Sequence, residues 1–165
     1  MSSPFNGTWK IALAKSRVWD AEKNSWISPD PIGIEEVTIF VTDELYDQVI
    51  TAGVNPTMHL TYTAFWGGEW VPFMLRSLEY PAENLPEPPK TDVGLKVTLE
   101  AGKPIAYVKM ILINDRFHYR ITRGVDGHSP GYVMSRRMHE GDNSYTATVL
   151  SPGGAVVFER HFDRA

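Results

Sequence analysis

The chain has 165 residues, 42% of them hydrophobic and 22% charged, with a formal net charge of −4 and a pI near 5.7. This length predicts one domain, 1–165, with enough apolar surface for a core, and the acidic balance argues against a nucleic-acid partner. With no cysteine there is no disulfide, thiolate zinc site, iron–sulfur cluster or cysteine nucleophile. The opening MSSPFNGTWK lacks a signal-peptide pattern, and no apolar run approaches the ~20 residues of a membrane span, so a cytoplasmic protein with no membrane partner is expected.

Gly7–Leu13 reads as an opening strand with Trp9, Ile11 and Leu13 on one face. Ala14–Pro31 is less regular and reads as a loop around a barrel mouth or edge, with a short helical turn near Asp20–Lys23. The β-branched run Glu36–Val41 and the alternating Leu45–Ala52 are strands on either side of an Asp43-Glu44 turn. Thr57–Trp66 and Glu69–Leu75 form a hairpin over Gly67-Gly68, a pair able to supply the positive φ of a tight turn. Pro72 marks an edge or a bulge in that hairpin. Arg76–Gly94, with Pro81, Pro86, Pro88 and Pro89, reads as a long surface loop or lid. Further strands are expected at Leu95–Leu99, Ala106–Ile113, Arg116–Arg123, Tyr132–Met138, Ser144–Leu150 and Ala155–Phe162. Short strands punctuated by Gly, Asn and Asp turns predict an all-β fold. Its simplest form is an antiparallel up-and-down β-barrel of about 8–10 strands, able to hold one small ligand.

Strand alternation divides the chemistry between faces. Tyr62 and Trp66 share a face with Met58 and Leu60, whereas His59 falls on the other. Phe117, Tyr119 and Ile121 make the preferred buried face of their strand, leaving Arg116, His118 and Arg120 outside; the opposite choice gives a polar interior with His59 and His161. Arg136 lies among Tyr132, Met134 and Met138, and Arg160 lies between Phe158 and Phe162. An arginine in an apolar stripe needs an acceptor: a protein carboxylate, a ligand carboxylate, or water at a strand end. The five histidines show no metal-ligand spacing, and no Walker loop, GxSxG or GxGxxG occurs, so neither a metal nor a cofactor is expected.

Phe5-Asn6-Gly7-Thr8-Trp9-Lys10-Ile11 followed by Ala14-Lys15-Ser16 resembles the opening of bacterial lipocalin-like proteins. The resemblance extends to the hairpin Tyr62–Pro72 and the closing Ser144–Arg160 pair. A Gly-x-Trp on the first strand is also a general mark of the lipocalin and fatty-acid-binding (calycin) group. The resemblance implies a lipocalin-like barrel with a pocket. It implies that Trp9 plugs one end and that a late arginine, Arg160 or Arg136, packs over it.

The first functional expectation is therefore the binding of a small hydrophobic, aromatic or carboxylated molecule inside the barrel. Trp66, Trp70, Phe73, Met134, Tyr62 and Tyr119 would form its walls, and Arg136 and Arg160 would hold an anionic group. The alternative is a cofactor-independent lyase, isomerase or cyclase. There His59, His118, Tyr62 or Tyr119 would move a proton, and an arginine would stabilise the anion. Pro72 and the long loop leave an edge where two barrels could meet as a homodimer.

Overall fold

The computed structural model describes residues 2–29, 35–82, 99–127 and 131–165. Most of the expected loop or lid, the expected strand at Leu95–Leu99 apart from its last residue, and His128 lie outside them.

Twelve strands run through the described residues. They are β1 (Gly7–Ile11), β2 (Arg17–Asp20), β3 (Ser25–Ile27), β4 (Glu35–Val41), β5 (Leu45–Ala52) and β6 (Thr57–Phe65). Then come β7 (Val71–Glu79), β8 (Pro104–Asn114), β9 (Phe117–Arg123), β10 (Tyr132–Met138), β11 (Ser144–Leu150) and β12 (Val156–Arg164). From β4 to β12 each strand pairs antiparallel with the next, β1 joins β4, and β1 also pairs with β12. Ten strands thus close on themselves and leave no free edge in the ring. The only helical piece among the described residues is a 3-10 turn at Leu13–Lys15.

Two stretches differ from the expectation. Residues 14–31 contain a hairpin rather than a loop: β2 pairs with β3, and it also pairs with β12 at Phe158 and Glu159. Trp19 and Trp26 meet edge to face at 5.5 Å, and Arg17 stacks on Trp26 while bonding both carboxylate oxygens of Glu159. The turn at Asp20 is made by its own carboxylate, which accepts from the Glu22 and Lys23 amides. Second, β7 runs on to Glu79, into the stretch read as loop, because Leu75, Leu78 and Glu79 pair with the early residues of β6. Pro72 does sit where a ladder is missing. Residues 71–73 pair with β8, and the β6–β7 ladder starts only at Met74. A proline lacks the N–H that a partner on the β6 side would use.

One end of the barrel is plugged by the first strand. Trp9 is fully buried; its indole N–H donates to the Phe5 carbonyl at 2.9 Å, and its ring meets Tyr145 edge to face at 5.0 Å. Phe5 packs on His118 and Tyr145, and Tyr145 stacks on Phe162. The cation over Trp9 is Arg164, 4.1 Å from the ring, and not Arg160 or Arg136. Its guanidinium also donates to the carbonyls of Pro4, Asn6 and Asp142, so it ties the N-terminal segment to the β10–β11 turn. Gly7 makes room for it. A Cβ there would stand 2.7 Å from Arg164 Nη1, and the φ of +133° already disfavours any other residue.

Trp9→Ala is expected to lower unfolding free energy by about 3–5 kcal/mol in urea titration, the usual cost of emptying a large aromatic site. Arg164→Lys should cost about 1 kcal/mol in the same assay despite keeping the charge, because an ammonium cannot fork to several carbonyls.

Candidate functional site

The interior is lined by alternate residues of each strand, and its composition is mixed. From the plugged end to mid-height it carries Tyr46, Gln48, Tyr62, His118, Arg120, Arg136 and Tyr145, all buried. Alongside them stand the apolar Ile50, Leu60, Leu75, Ala106, Met134 and Val149, with Met134 directly across from Arg120 and from Val149. At the far end the inward residues Ala52, Met58, Leu78, Tyr132 and Phe158 are only half-buried.

Register places the polar cluster. Arg136 stands opposite His118 on β9 and opposite Ala147 on β11; Met134 stands opposite Arg120. Since Met134, Arg136 and Met138 point inward, β9 must turn His118, Arg120 and Thr122 inward too. This reverses the preferred face of that strand. Phe117 and Tyr119 pack on each other outside, and Tyr119 is neither a wall nor an acid–base group of the interior.

Within the cluster, Gln48 Oε1 accepts from the hydroxyls of Tyr46 (2.5 Å) and Tyr62 (2.9 Å). Arg120 Nη2 donates to the Tyr132 hydroxyl at 2.7 Å, and its guanidinium lies 5.2–5.8 Å from the centroids of Phe73, Tyr132 and Tyr62. Arg136 lies over Tyr46 at 5.6 Å. Among the described residues no ion pair joins Arg120 or Arg136 to a carboxylate. Six polar atoms of this interior are sealed from solvent and have no hydrogen-bond partner among the described residues: Gln48 Nε2, His118 Nε2, Arg120 Nε, Thr122 Oγ1, Arg136 Nη1 and Tyr145 Oη.

The electrostatics follow from burial. Desolvation, reinforced by Arg136 and Arg120, holds the His118 imidazolium well below its usual range, so the ring is neutral. Burial pushes the Tyr46 and Tyr145 phenols up, against the pull of Arg136, so both keep their protons. Burial opposes the charge on Arg120 and Arg136, but the neighbouring tyrosines outweigh it and hold both above the ordinary arginine value, so both stay protonated. The cluster therefore carries two positive charges among neutral partners.

The other candidates separate cleanly. Tyr62, Phe73 and Met134 are buried walls, and Trp66 is a wall near the plug, its N–H donating to the Thr42 carbonyl and its ring 5.5 Å from His118. Trp70 lies outside, with Arg123 4.4 Å and Lys109 5.3 Å from its ring, because the chain leaves the β6 line at Gly67 before β7 begins. His59 is on the outer face; it contacts Thr51 Oγ1 and pairs with Glu79 at 3.3 Å. Arg160 points inward near the far end, but its partner is a protein carboxylate, Glu35, at 3.2 Å. Sequence alternation does not single out Gln48, Tyr145 or Glu35; it names Arg120 only in the alternative polar interior and Tyr132 only as a neighbour of Arg136. Gln48 had a signal, a lone amide in the apolar stripe of Tyr46, Ile50 and Ala52.

A closed antiparallel barrel of ten strands, with one Trp-plugged end and a polar cluster sealed inside, has the fold of the calycin barrels. Solved structures of similar fold include the Schistosoma mansoni fatty acid binding protein in complex with arachidonic acid. That likeness has a TM-score of 0.58 and 14% identity, over 99% of this chain and 98% of that one. The fluorescent protein UnaG matches with a TM-score of 0.59 and 16% identity over 100% of both chains. The REP1-NXSQ fatty acid transporter matches at 0.52 and 10%, over 97% of this chain and 95% of that one. At such identities the likeness is one of fold. No family model and no curated protein matches the sequence.

His118 binds a proton more readily in the unfolded chain than in the barrel. Its contribution therefore makes stability rise with pH up to about 6.5 and fall below it, by up to ~1.4 kcal/mol per pH unit. His118→Gln is expected to remove that slope between pH 5 and 6.5 in chemical denaturation, with little change at pH 8.

Proposed function

We propose that this barrel binds one acidic amphipathic small molecule, its anionic head against Arg120 and Arg136 and its apolar body along Leu60, Leu75, Ala106, Met134 and Val149. The observation that carries this reading is the pair of buried guanidiniums with no carboxylate partner among the described residues. An unpaired buried charge is costly, and a pair of them is out of place in a merely structural interior. Arg160 supplies the contrast: where an inward arginine serves the fold, Glu35 stands beside it. The similar folds of a fatty acid binding protein in complex with arachidonic acid and of a fatty acid transporter are consistent with such a ligand.

The enzymatic alternative retains only His118 and Tyr62 of its four acid–base candidates. His118 is neutral with a free Nε2, as a general base requires. However, the ring is fenced by Phe5, Tyr46 and Trp66 at 4.6–5.5 Å, and the Tyr62 proton is directed to Gln48. Binding is the reading these contacts favour.

Arg136→Met tests it through two opposed readouts. Replacing an unpaired buried charge by an apolar side chain of similar length should raise the stability of the ligand-free protein by about 1–4 kcal/mol. The same change should weaken a long-chain carboxylate about 10–100-fold, the worth of a charged hydrogen bond, in displacement of an environment-sensitive fluorescent fatty acid. Loss of stability with unchanged affinity would make Arg136 a structural residue and sink the reading.

A further inference from the structure

The charge and donor count of the cluster say more about the head group, given the binding reading above. Among the described residues, the ionisable groups facing the interior come from seven strands. They are Glu35 on β4, Tyr46 on β5, Tyr62 on β6, His118 and Arg120 on β9, Tyr132 and Arg136 on β10, Tyr145 on β11 and Arg160 on β12. Glu35 and Arg160 cancel each other. The His118 imidazole and the Tyr46 and Tyr145 phenols are neutral, held so by burial. Two positive charges remain, on diagonal positions of neighbouring strands, Arg136 across from His118 and Arg120 across from Met134, so they lie side by side rather than at two ends of a molecule.

A monoanion placed there leaves one buried charge uncompensated. The unfilled hydrogen bonds point the same way. Arg120 Nε, Arg136 Nη1 and Gln48 Nε2 are obligate donors, sealed and without a partner among the described residues; the Tyr145 and Thr122 hydroxyls, which can also donate, are unpartnered there as well. Each of these residues is at least nine-tenths buried. A carboxylate brings two oxygens and one charge to this set. A phosphate monoester brings three terminal oxygens and a charge of about −1.5 to −2 at pH 7.

We infer that the head group seated between Arg120 and Arg136 is a dianion with three or more acceptor oxygens, of the phosphate-monoester or geminal dicarboxylate kind, rather than a single carboxylate.

The test compares four amphiphiles of one chain length, each below its micelle-forming concentration, by isothermal titration with the full chain at pH 7.5. They are decanoate, decyl sulfate, decyl phosphate and decylmalonate. The expected result is that decyl phosphate or decylmalonate binds at least tenfold tighter than decanoate and decyl sulfate. Which of the two dianions leads identifies the head as phosphate or dicarboxylate. At pH 5, below the second phosphate pKa of about 6, the advantage of decyl phosphate over decyl sulfate should shrink toward unity. Arg120→Met and Arg136→Met should each cut the phosphate-to-carboxylate ratio to near one, with melting curves confirming that the variants fold. Binding of all four without preference, or decyl sulfate matching decyl phosphate at pH 7.5, would overturn the dianion inference while leaving anion binding intact. No binding by any of the four would overturn both.

Discussion

Two guanidiniums held inside a closed barrel are the constraint to which the rest of this interior answers. Arginine cannot shed its proton, so burial cannot neutralise it as it does a lysine or a histidine. The surrounding residues soften the cost without cancelling it. Arg120 lies among three aromatic rings and donates to Tyr132, Arg136 lies over Tyr46, and the Tyr46 and Tyr62 hydroxyls are locked onto Gln48. Ring faces and phenols are weak compensation for a full charge, worth about 2 kcal/mol each at best when desolvated. Burial, reinforced by the same charges, keeps His118 neutral; it would otherwise add a third cation opposite Arg136.

The plugged end serves that cluster by keeping water from it. Trp9, Phe5, Tyr145 and Phe162 form a continuous aromatic floor, and Arg164 closes it from outside by gathering carbonyls from the first residues and from the β10–β11 turn. The division of labour among the arginines follows from depth. Arg164 is at the rim, where its charge is solvated; Arg160 meets Glu35 near the far end; Arg120 and Arg136 lie between them and are sealed.

Much of the barrel could be read from residue order, since period-two alternation and Gly, Asn and Asp turns survive without tertiary context. The hairpin over Gly67 also divides as its alternation requires, with Tyr62 and Trp66 inward and His59 outward against Glu79. What alternation cannot supply is the hand of a strand whose two faces are both plausible. On β9 the apolar set Phe117, Tyr119 and Ile121 competes with His118, Arg120 and Thr122, and hydrophobicity chooses the first. The ladder with β10 chooses the second, because Arg136 and His118 are cross-strand partners and Met134, Arg136 and Met138 have nowhere else to go. The Trp9 cation was missed for a related reason. Arg164 lies just past the expected end of the last strand, and only the β1–β12 register sets it against Trp9. The hairpin at residues 14–31 was hidden because β2 and β3 are too short to show a period.

The interior is graded along its axis, and the gradient gives a ligand a direction. His118 and Tyr145 pack on the plug residues Phe5 and Trp9; Arg120 stands further along, across from Met134; Leu60, Leu75, Ala106 and Val149 are apolar, and Met58, Leu78 and Phe158 are half-buried. An amphipathic molecule lying along this axis minimises its free energy with its charge toward the floor and its apolar part against these apolar residues, since the reverse leaves two guanidiniums facing hydrocarbon. The Glu35–Arg160 pair sits near the end such a molecule would enter, and it presents opposite charges that cancel rather than an anion trap. For the ligand proposed above, depth rather than a charged rim would select the anion. Its head would gain full electrostatic contact only after its apolar body had left water, where the same charges interact more strongly than they would at the surface.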